Sequence, residues 1–159
     1  MVFGSTGGRG GVVRLVRAES WHVERVGDDL SEASAFELAV EGATIEDVER
    51  EVRDGYGPQW CGLVDGVPAV WMGVARGPVD GVGLTVFLYT RAVERRWLTL
   101  TKLAVRGIIA ARAEGYRSLI SISTPLRPER AVPWFCALGA ELIGVGVRGG
   151  VRRYVWGWR

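Results

Sequence analysis

Apolar residues recur along this chain with two periods, one typical of helices and one typical of strands. Over residues 20–41 they recur at mostly three- and four-residue steps, which predicts a helical stretch interrupted near Gly27. A capping pattern predicts a further short helix over about 44–53. The helical period returns over 91–114 and in a late helix that ends at Leu138, whose start is left open because Pro133 could begin a new first turn.

The remaining segments carry the alternation or the β-prone composition of strands. Asp65-Gly66 separates two of them and is a strong hairpin signal. Because the 91–114 helix joins two strand candidates, we expect those strands, 83–89 and 118–123, to lie side by side and parallel and to splay near Thr90. The predicted strands are 12–17, 59–64, 67–75, 83–89, 118–123, 140–147 and 151–158.

The long 91–114 helix has an apolar stripe that predicts which of its side chains face the sheet. We expect Trp97, Leu100, Leu103 and Ile108 to be largely buried there.

Composition narrows the function classes. A formal net charge of +2 is too small for a dedicated nucleic-acid binder, which needs many phosphate contacts. His22 is the only histidine, and Cys61 and Cys136 form no C-x-x-C pair, so neither a metal site nor a redox motif is predicted. Both cysteines are expected to be reduced and to fill apolar sites.

The N-terminus lacks the apolar core of a signal peptide, and no apolar run is long enough to cross a bilayer. We therefore expect the protein in the cytoplasm, or in a particle assembled there, with no membrane contact. Residues 4–11 are mostly glycine and predict a flexible arm over 1–11, followed by one domain over 12–159.

The order of predicted elements, β-α-α-β-β-β-α-β-α-β-β, resembles that of the GNAT (N-acetyltransferase-like) superfamily. Two segments carry the resemblance locally. Residues 59–69, around Asp65-Gly66, look like the family's second and third strands, and residues 130–142 look like its late helix and the turn that follows. The resemblance implies one α/β domain with a mixed, mainly antiparallel central sheet and helices on both faces.

Two shorter stretches resemble a narrower group. Residues 17–24 and the turn 65–68 look like small GNAT-like proteins encoded in the morphogenesis genes of tailed phages, some of which are internal virion proteins. This resemblance implies a role in virion assembly.

In active GNAT enzymes, the loop after the fourth strand carries glycines whose backbone N–H groups approach the pyrophosphate of acetyl-CoA. The corresponding residues here, 90–97, contain no glycine. If acetyl-CoA binds at all, the resemblance assigns it to Thr90, Arg91, Arg95 and Arg96. Their side chains do not replace a concave group of backbone amides, so the sequence favours a degenerate loop and no cofactor.

The catalytic roles of the family also lack clear candidates. Where the late helix often carries a tyrosine that protonates the leaving thiolate, this chain has Trp134 and Phe135. Only Asp80, Glu94 and Tyr89 remain as weak candidates for acid–base work. Each also has a structural interpretation, respectively a turn residue, an exposed helix charge and a strand residue with a solvated hydroxyl.

Two functions therefore stay open. The favoured one is a non-catalytic, GNAT-shaped component of a phage particle or of its assembly, and the alternative is an active acetyl-CoA-dependent N-acetyltransferase on an unknown amine. Seven tryptophans fit interface anchors, although a core role explains them as well. In the first case we expect contacts with other protein chains through Val2 to Gly11, and next through four arginines of the last hairpin. These are Arg148, Arg152, Arg153 and Arg159.

Overall fold

The computed structural model describes residues 11–159, so the predicted arm lies outside the described residues except for Gly11. Seven strands and six helices follow one another in this part of the chain. The strands are β1 (Val13–Arg17), β2 (Gln59–Val64), β3 (Val67–Arg76), β4 (Val82–Tyr89), β5 (Ser118–Ser123), β6 (Glu141–Arg148) and β7 (Val151–Trp158). The helices are α1 (Ser20–Asp28), α2 (Glu32–Glu41), α3 (Ile45–Asp54), α4 (Arg91–Glu94), α5 (Trp97–Ala113) and α6 (Pro128–Ala137).

The strands form a single sheet in the order β1-β2-β3-β4-β5-β7-β6. All neighbours are antiparallel except β4 and β5, which are parallel. This confirms the predicted fold class and the predicted adjacency of β4 and β5. The parallel pair follows from the α5 connection, since a strand that returns through a helix re-enters the sheet in the same direction.

Helices cover both faces of the sheet. On one face, apolar side chains of α1, α2 and α3 pack with Trp71 of β3 and Leu88 of β4. On the other face, Leu100 and Leu103 of α5 pack against the sheet, and Trp156 of β7 lies in the neighbouring part of the core. Trp71, Leu100 and Trp156 are at most 1% exposed, so large apolar side chains from distant parts of the sequence fix the layers together.

Local signals in the sequence set the ends of several elements. The side chain of Thr44 accepts a hydrogen bond from the backbone N–H of Asp47, and the Asp47 carboxylate accepts one from the backbone N–H of Thr44, which makes the predicted capping box of α3. Gly42 ends α2 in the left-handed conformation, at φ 66°. Asp65 and Gly66 both have positive φ, as a two-residue hairpin turn requires.

The structure corrects three sequence predictions. The 91–114 helix is two helices, α4 and α5, because the backbone leaves helical geometry at Arg96 (φ −99°, ψ 64°). Trp97, expected in the core, is 42% exposed at the start of α5. Cys136 is exposed on α6, whereas Cys61 is buried as predicted. The stripe of α5 is otherwise buried at Leu100 and Leu103 and partly buried at Ile108.

Within the described part of the chain, no helix combines the length and the apolar character that a membrane crossing needs.

Candidate functional site

A cleft opens in the middle of the sheet where β4 and β5 separate. The two strands pair only from Val82 to Thr85 on β4 and from Ser118 to Ser121 on β5. Their carboxyl ends then diverge, because β5 goes on pairing with β7 up to Ser123. Ligands in α/β sheets bind at such gaps, where neighbouring strands part at their carboxyl ends.

The connection between α1 and α2 takes over the edge of β4 that β5 leaves. The backbone N–H of Ser31 donates to the carbonyl of Tyr89 at 2.9 Å, and the Tyr89 N–H donates to Ser34 Oγ at 3.1 Å. Leu30 and Thr90 form an isolated antiparallel bridge beside them. The far end of the gap is thus closed by the protein's own backbone.

The interior of the cleft is filled by aromatic side chains, with Trp134 of α6 at the centre. Its ring centroid lies 5.9 Å from Phe87 on β4 and 5.4 Å from Trp97 on α5. Its indole Nε1 donates to Thr101 Oγ1 on α5 at 2.9 Å. A cavity of about 40 Å³ remains between Thr85, Ser121 and these rings, which is room for no more than a few water molecules.

In the loop after β4, two backbone N–H groups donate hydrogen bonds within the protein to the same residue, Asp29. The N–H of Arg91 donates to the carbonyl of Asp29 at 2.8 Å, and the N–H of Ala92 donates to Asp29 Oδ2 at 3.3 Å. A carboxylate therefore stands where a phosphate would have to approach these donors. The Arg91 guanidinium also turns back, with Nε 3.2 Å from the carbonyl of Leu30.

The other residues that the resemblance assigns to a cofactor differ in how far they are exposed to solvent. Thr90 is 2% exposed, its N–H bonds to the carbonyl of Ala69, and its Oγ1 is buried without a partner among the described residues. Arg91 and Arg95 are exposed, and Arg96 precedes α5 and is partly buried, so each of these three guanidinium groups could meet an anion from solvent.

The side chain of Glu37 lies near the C-terminal end of β5, where β4 and β5 have separated. Glu37, on α2, accepts a hydrogen bond at 3.0 Å through Oε1 from the backbone N–H of Thr124, which follows β5. The residue keeps some surface exposure, but its carboxyl group is buried, and burial raises its pKa to about 7. The bond from Thr124 works against that rise, and the nearby charge of Glu41 adds to it.

Tyr89, at the end of β4, is electrostatically coupled to Glu37. Burial raises the pKa of Tyr89 to about 12, and the negative charges of Glu37 and Glu94 add to the rise, while a hydrogen bond with the Ser31 side chain opposes it. The Tyr89 hydroxyl is therefore protonated at neutral pH. The pair offers one carboxyl that titrates near neutrality and one phenol that does not.

The structure brings together some of the catalytic candidates and separates one. Tyr89 and Glu94 lie at the cleft, but Asp80 lies in the connection before β4, at the opposite end of that strand, where its carbonyl accepts from Arg117 at 3.3 Å. Asp80 is a turn residue. Glu37 was missed, although a charged residue between Phe36 and Leu38 on an apolar helix was a usable signal.

Within the described residues no cluster of histidine, cysteine and carboxylate side chains could hold a metal ion. His22, on α1, is 3% exposed, and its Nδ1 accepts a hydrogen bond from the backbone N–H of Glu19 at 2.9 Å.

The residues present do not fit acetyl-CoA in this arrangement. A cofactor held by its phosphates after β4 would have to extend its acyl end into the cleft, where Trp134 leaves about 40 Å³. Its phosphates would also compete with Asp29 for two backbone amides.

Comparison with known proteins gives the fold its name. No protein-family model matches the sequence, and no curated protein matches it. Solved structures do match over nearly the whole chain, and those that follow are acetyltransferases. The chain has the GNAT fold.

Three of these structures illustrate the likeness. An N-acetyltransferase from Staphylococcus aureus is 12% identical with a TM-score of 0.67, and the match covers 92% of this chain and 97% of that one. A GNAT-family acetyltransferase from Bacillus anthracis is 11% identical with a TM-score of 0.67, over 94% and 96%. A GNAT superfamily phosphinothricin acetyltransferase from Sinorhizobium meliloti, in complex with acetyl-CoA, is 11% identical with a TM-score of 0.67, over 92% and 87%. At these identities the likeness concerns the fold alone.

Proposed function

We propose that this chain is a non-catalytic GNAT-fold protein that serves as a component of a protein assembly. The observation that carries the proposal is the closed cleft, in which Trp134 occupies the space between the separated strands and is bonded to Thr101. A protein that needed this cleft for a cofactor would leave it open or close it with side chains that swing away easily. Here one indole contacts Phe87, Trp97 and Phe135 and makes a directed hydrogen bond as well.

The loop after β4 supports the same proposal independently. Two amides that would face an anion are already bonded to Asp29, and releasing them costs the free energy of those bonds before any ligand is bound.

The setting of the assembly, a phage virion or its morphogenesis machinery, comes from the resemblance of residues 17–24 and 65–68 to phage proteins. The comparisons add nothing to it. In this setting the expected partners are other chains of the particle, contacted through Val2 to Gly11, and the protein would lie in the host cytoplasm or in the virion. Of the four arginines expected at a contact surface, Arg148 and Arg153 bond to Glu41 and Arg159 lies 3.7 Å from Glu141, while Arg152 is exposed.

The second candidate function is an N-acetyltransferase on an unknown amine, which would need acetyl-CoA after a rearrangement of Trp134. The observation that favours it is Glu37, whose pKa of about 7 suits a general base that removes a proton from an amine near neutral pH. Tyr89, protonated beside it, could donate a hydrogen bond.

The two functions separate in a thiol-release assay. The purified chain is mixed with acetyl-CoA and a panel of primary amines and polyamines, and free CoA is measured over time. The proposal expects release no faster than in a protein-free control. Release that is stimulated by an amine and lost in Glu37→Gln would overturn it in favour of the enzyme, because that variant keeps an oxygen for the Thr124 bond but cannot act as a base.

A further inference from the structure

The last strand of the sheet, β6, presents an apolar edge to solvent. It pairs with β7 on one side, and among residues 11–159 no strand pairs with its other side. Its apolar side chains are exposed to a degree unusual for a strand. They are Leu142 at 48%, Ile143 at 51%, Val145 at 58% and Val147 at 74%.

Apart from one bulge, this edge lacks the devices by which proteins usually prevent strands from pairing with a neighbour. Protected edges are short, are bulged, or carry proline or a charged residue in their middle. The run from Leu142 to Val147 has neither, and its two charged residues, Glu141 and Arg148, stand at the ends of the strand. One bulge interrupts the pairing with β7 at Ile143–Gly144.

We infer that the free edge of β6 binds a second copy of this chain, as an antiparallel β6–β6 pair around a two-fold axis. The observation that selects a second copy is the charge order along the strand, negative at Glu141 and positive at Arg148. Antiparallel self-pairing brings each of these ends opposite its complement, and it does so twice because the interface is symmetric.

The register follows from the same two residues. When Glu141 faces the second copy's Arg148, Leu142 faces Val147, Gly144 faces Gly146 and Val145 faces its own counterpart, because Ile143 is the extra residue of the bulge. A shift by one residue would place Glu141 opposite Val147, or Arg148 opposite Leu142, and would leave a charge against an apolar side chain.

The faces of the strand agree with this register on both sides of the bulge. Leu142 and Val147 pair with Trp156 and Arg152 of β7, which lie an even number of residues apart, so both side chains lie on one face. Gly144 and Gly146 pair with Val155 and Arg153 of β7, which also lie an even number of residues apart, so these two facing positions share the other face and add no side chain. The extra residue of the bulge, Ile143, lies away from the axis, which passes through Val145.

The inference does not depend on whether the cleft binds a cofactor, because β6 lies two strands away from it. Sedimentation equilibrium of the purified full chain tests it. We expect a concentration-dependent species of twice the monomer mass of 17.3 kDa. A chain that remains monomeric up to its solubility limit would overturn the inference, as would a larger closed assembly whose mass does not change when β6 is altered.

Substitutions identify the surface. Val145→Lys places a charge near the centre of the edge and is expected to abolish the dimer, whereas Val67→Lys, at an equally exposed strand position at 55%, should leave it intact. Circular dichroism and melting curves check that both variants fold. A dimer that survives Val145→Lys in a folded protein would contradict the inference.

A charge exchange tests the register. Glu141→Arg and Arg148→Glu each replace two attractive pairs by two repulsive ones, and each should raise the dissociation constant about tenfold. The double exchange should bring it back toward the wild-type value. Recovery requires the two residues to face each other across the interface, since within one chain Arg148 contacts Glu41 and Glu141 contacts Arg159. Single variants without effect, or a double variant weaker than both, would contradict the register.

Discussion

The indole Nε1 of Trp134 lies 2.9 Å from Thr101 Oγ1 and joins α6 to α5 across the mouth of the β4–β5 cleft. Both side chains are partly buried, and the indole also packs on Phe87. The bond fixes the ring in the position that fills the cleft. This contact therefore adds a directed bond to the ring packing that holds the indole in the cleft.

Breaking this contact should destabilise the fold modestly. We expect Thr101→Val to lower the free energy of unfolding by about 1 to 2 kcal/mol, because it also removes the bond that the hydroxyl donates to the Trp97 carbonyl at 2.8 Å. A double-mutant cycle with Trp134→Phe, followed by urea denaturation, should give a coupling energy of about 0.5 to 1.5 kcal/mol. Additive effects of the two substitutions would mean that the indole is held by packing alone.

Glu37 should make stability depend on pH in the direction opposite to that of an ordinary carboxylate. Its pKa of about 7 in the folded protein exceeds the ordinary value of 4.5, so the folded protein retains a proton that the unfolded chain has lost. The stabilisation is complete below the ordinary pKa and disappears as the pH rises through about 7.

Glu37→Gln isolates this effect, because glutamine keeps the acceptor for Thr124 and has no charge. Relative to wild type, the variant should gain at most about 3 kcal/mol at pH 8, and the difference should shrink toward pH 4. Denaturant melts at several pH values measure it. A difference that is constant with pH would show that the carboxyl titrates normally.

The two ends of the α5 stripe should respond differently to truncation. Leu103 is 1% exposed, and Leu103→Ala should cost about 2 to 5 kcal/mol. Trp97 is 42% exposed, so Trp97→Ala should cost clearly less, about 1 to 2 kcal/mol for the lost contact with Trp134. Equal losses in chemical denaturation would place Trp97 in the core after all.

The two cysteines should differ in reactivity with a thiol reagent. Cys136 is exposed on α6 and should react in the native protein. Cys61 should not react, because it is fully buried and burial raises its pKa to about 12. Mass spectrometry after a short alkylation should show one modified thiol at Cys136. Cys136→Ser gives the matched control, in which native protein stays unmodified until it is denatured.

Much of the fold could be predicted from the sequence because its determinants are local. The Asp65-Gly66 turn, the capping residue Thr44 and the terminating Gly42 each specify their own backbone conformation. The hairpin signal and a short β-prone segment located β2 and β5 with the bounds that the structure gives. The break between α4 and α5 has no such signal. It accompanies backbone bonds from Arg91 and Ala92 to the distant Asp29.

The position of the cleft could be predicted from the sequence, but the side chains that fill it could not. The missing glycines after β4 are visible in the sequence, and so are Trp134 and Phe135 on the late helix. What fills the cleft depends on how α6 packs against α5. The apolar pattern of each helix does not predict that Trp134 and Thr101 form a hydrogen bond between them. Glu37 was missed for the same reason, since its partner Thr124 is far away in sequence.

Calorimetric titration of the full chain with acetyl-CoA tests the closed cleft most directly. A closed cleft predicts no detectable heat of binding and no rise in melting temperature for the wild-type protein, because a ligand that binds the folded state stabilises it. The same titration of Trp134→Gly, with Trp21→Ala as a control that removes an exposed indole of α1, shows whether the cleft can be opened. Micromolar binding of acetyl-CoA by the wild-type chain would show that the cleft is open to the cofactor.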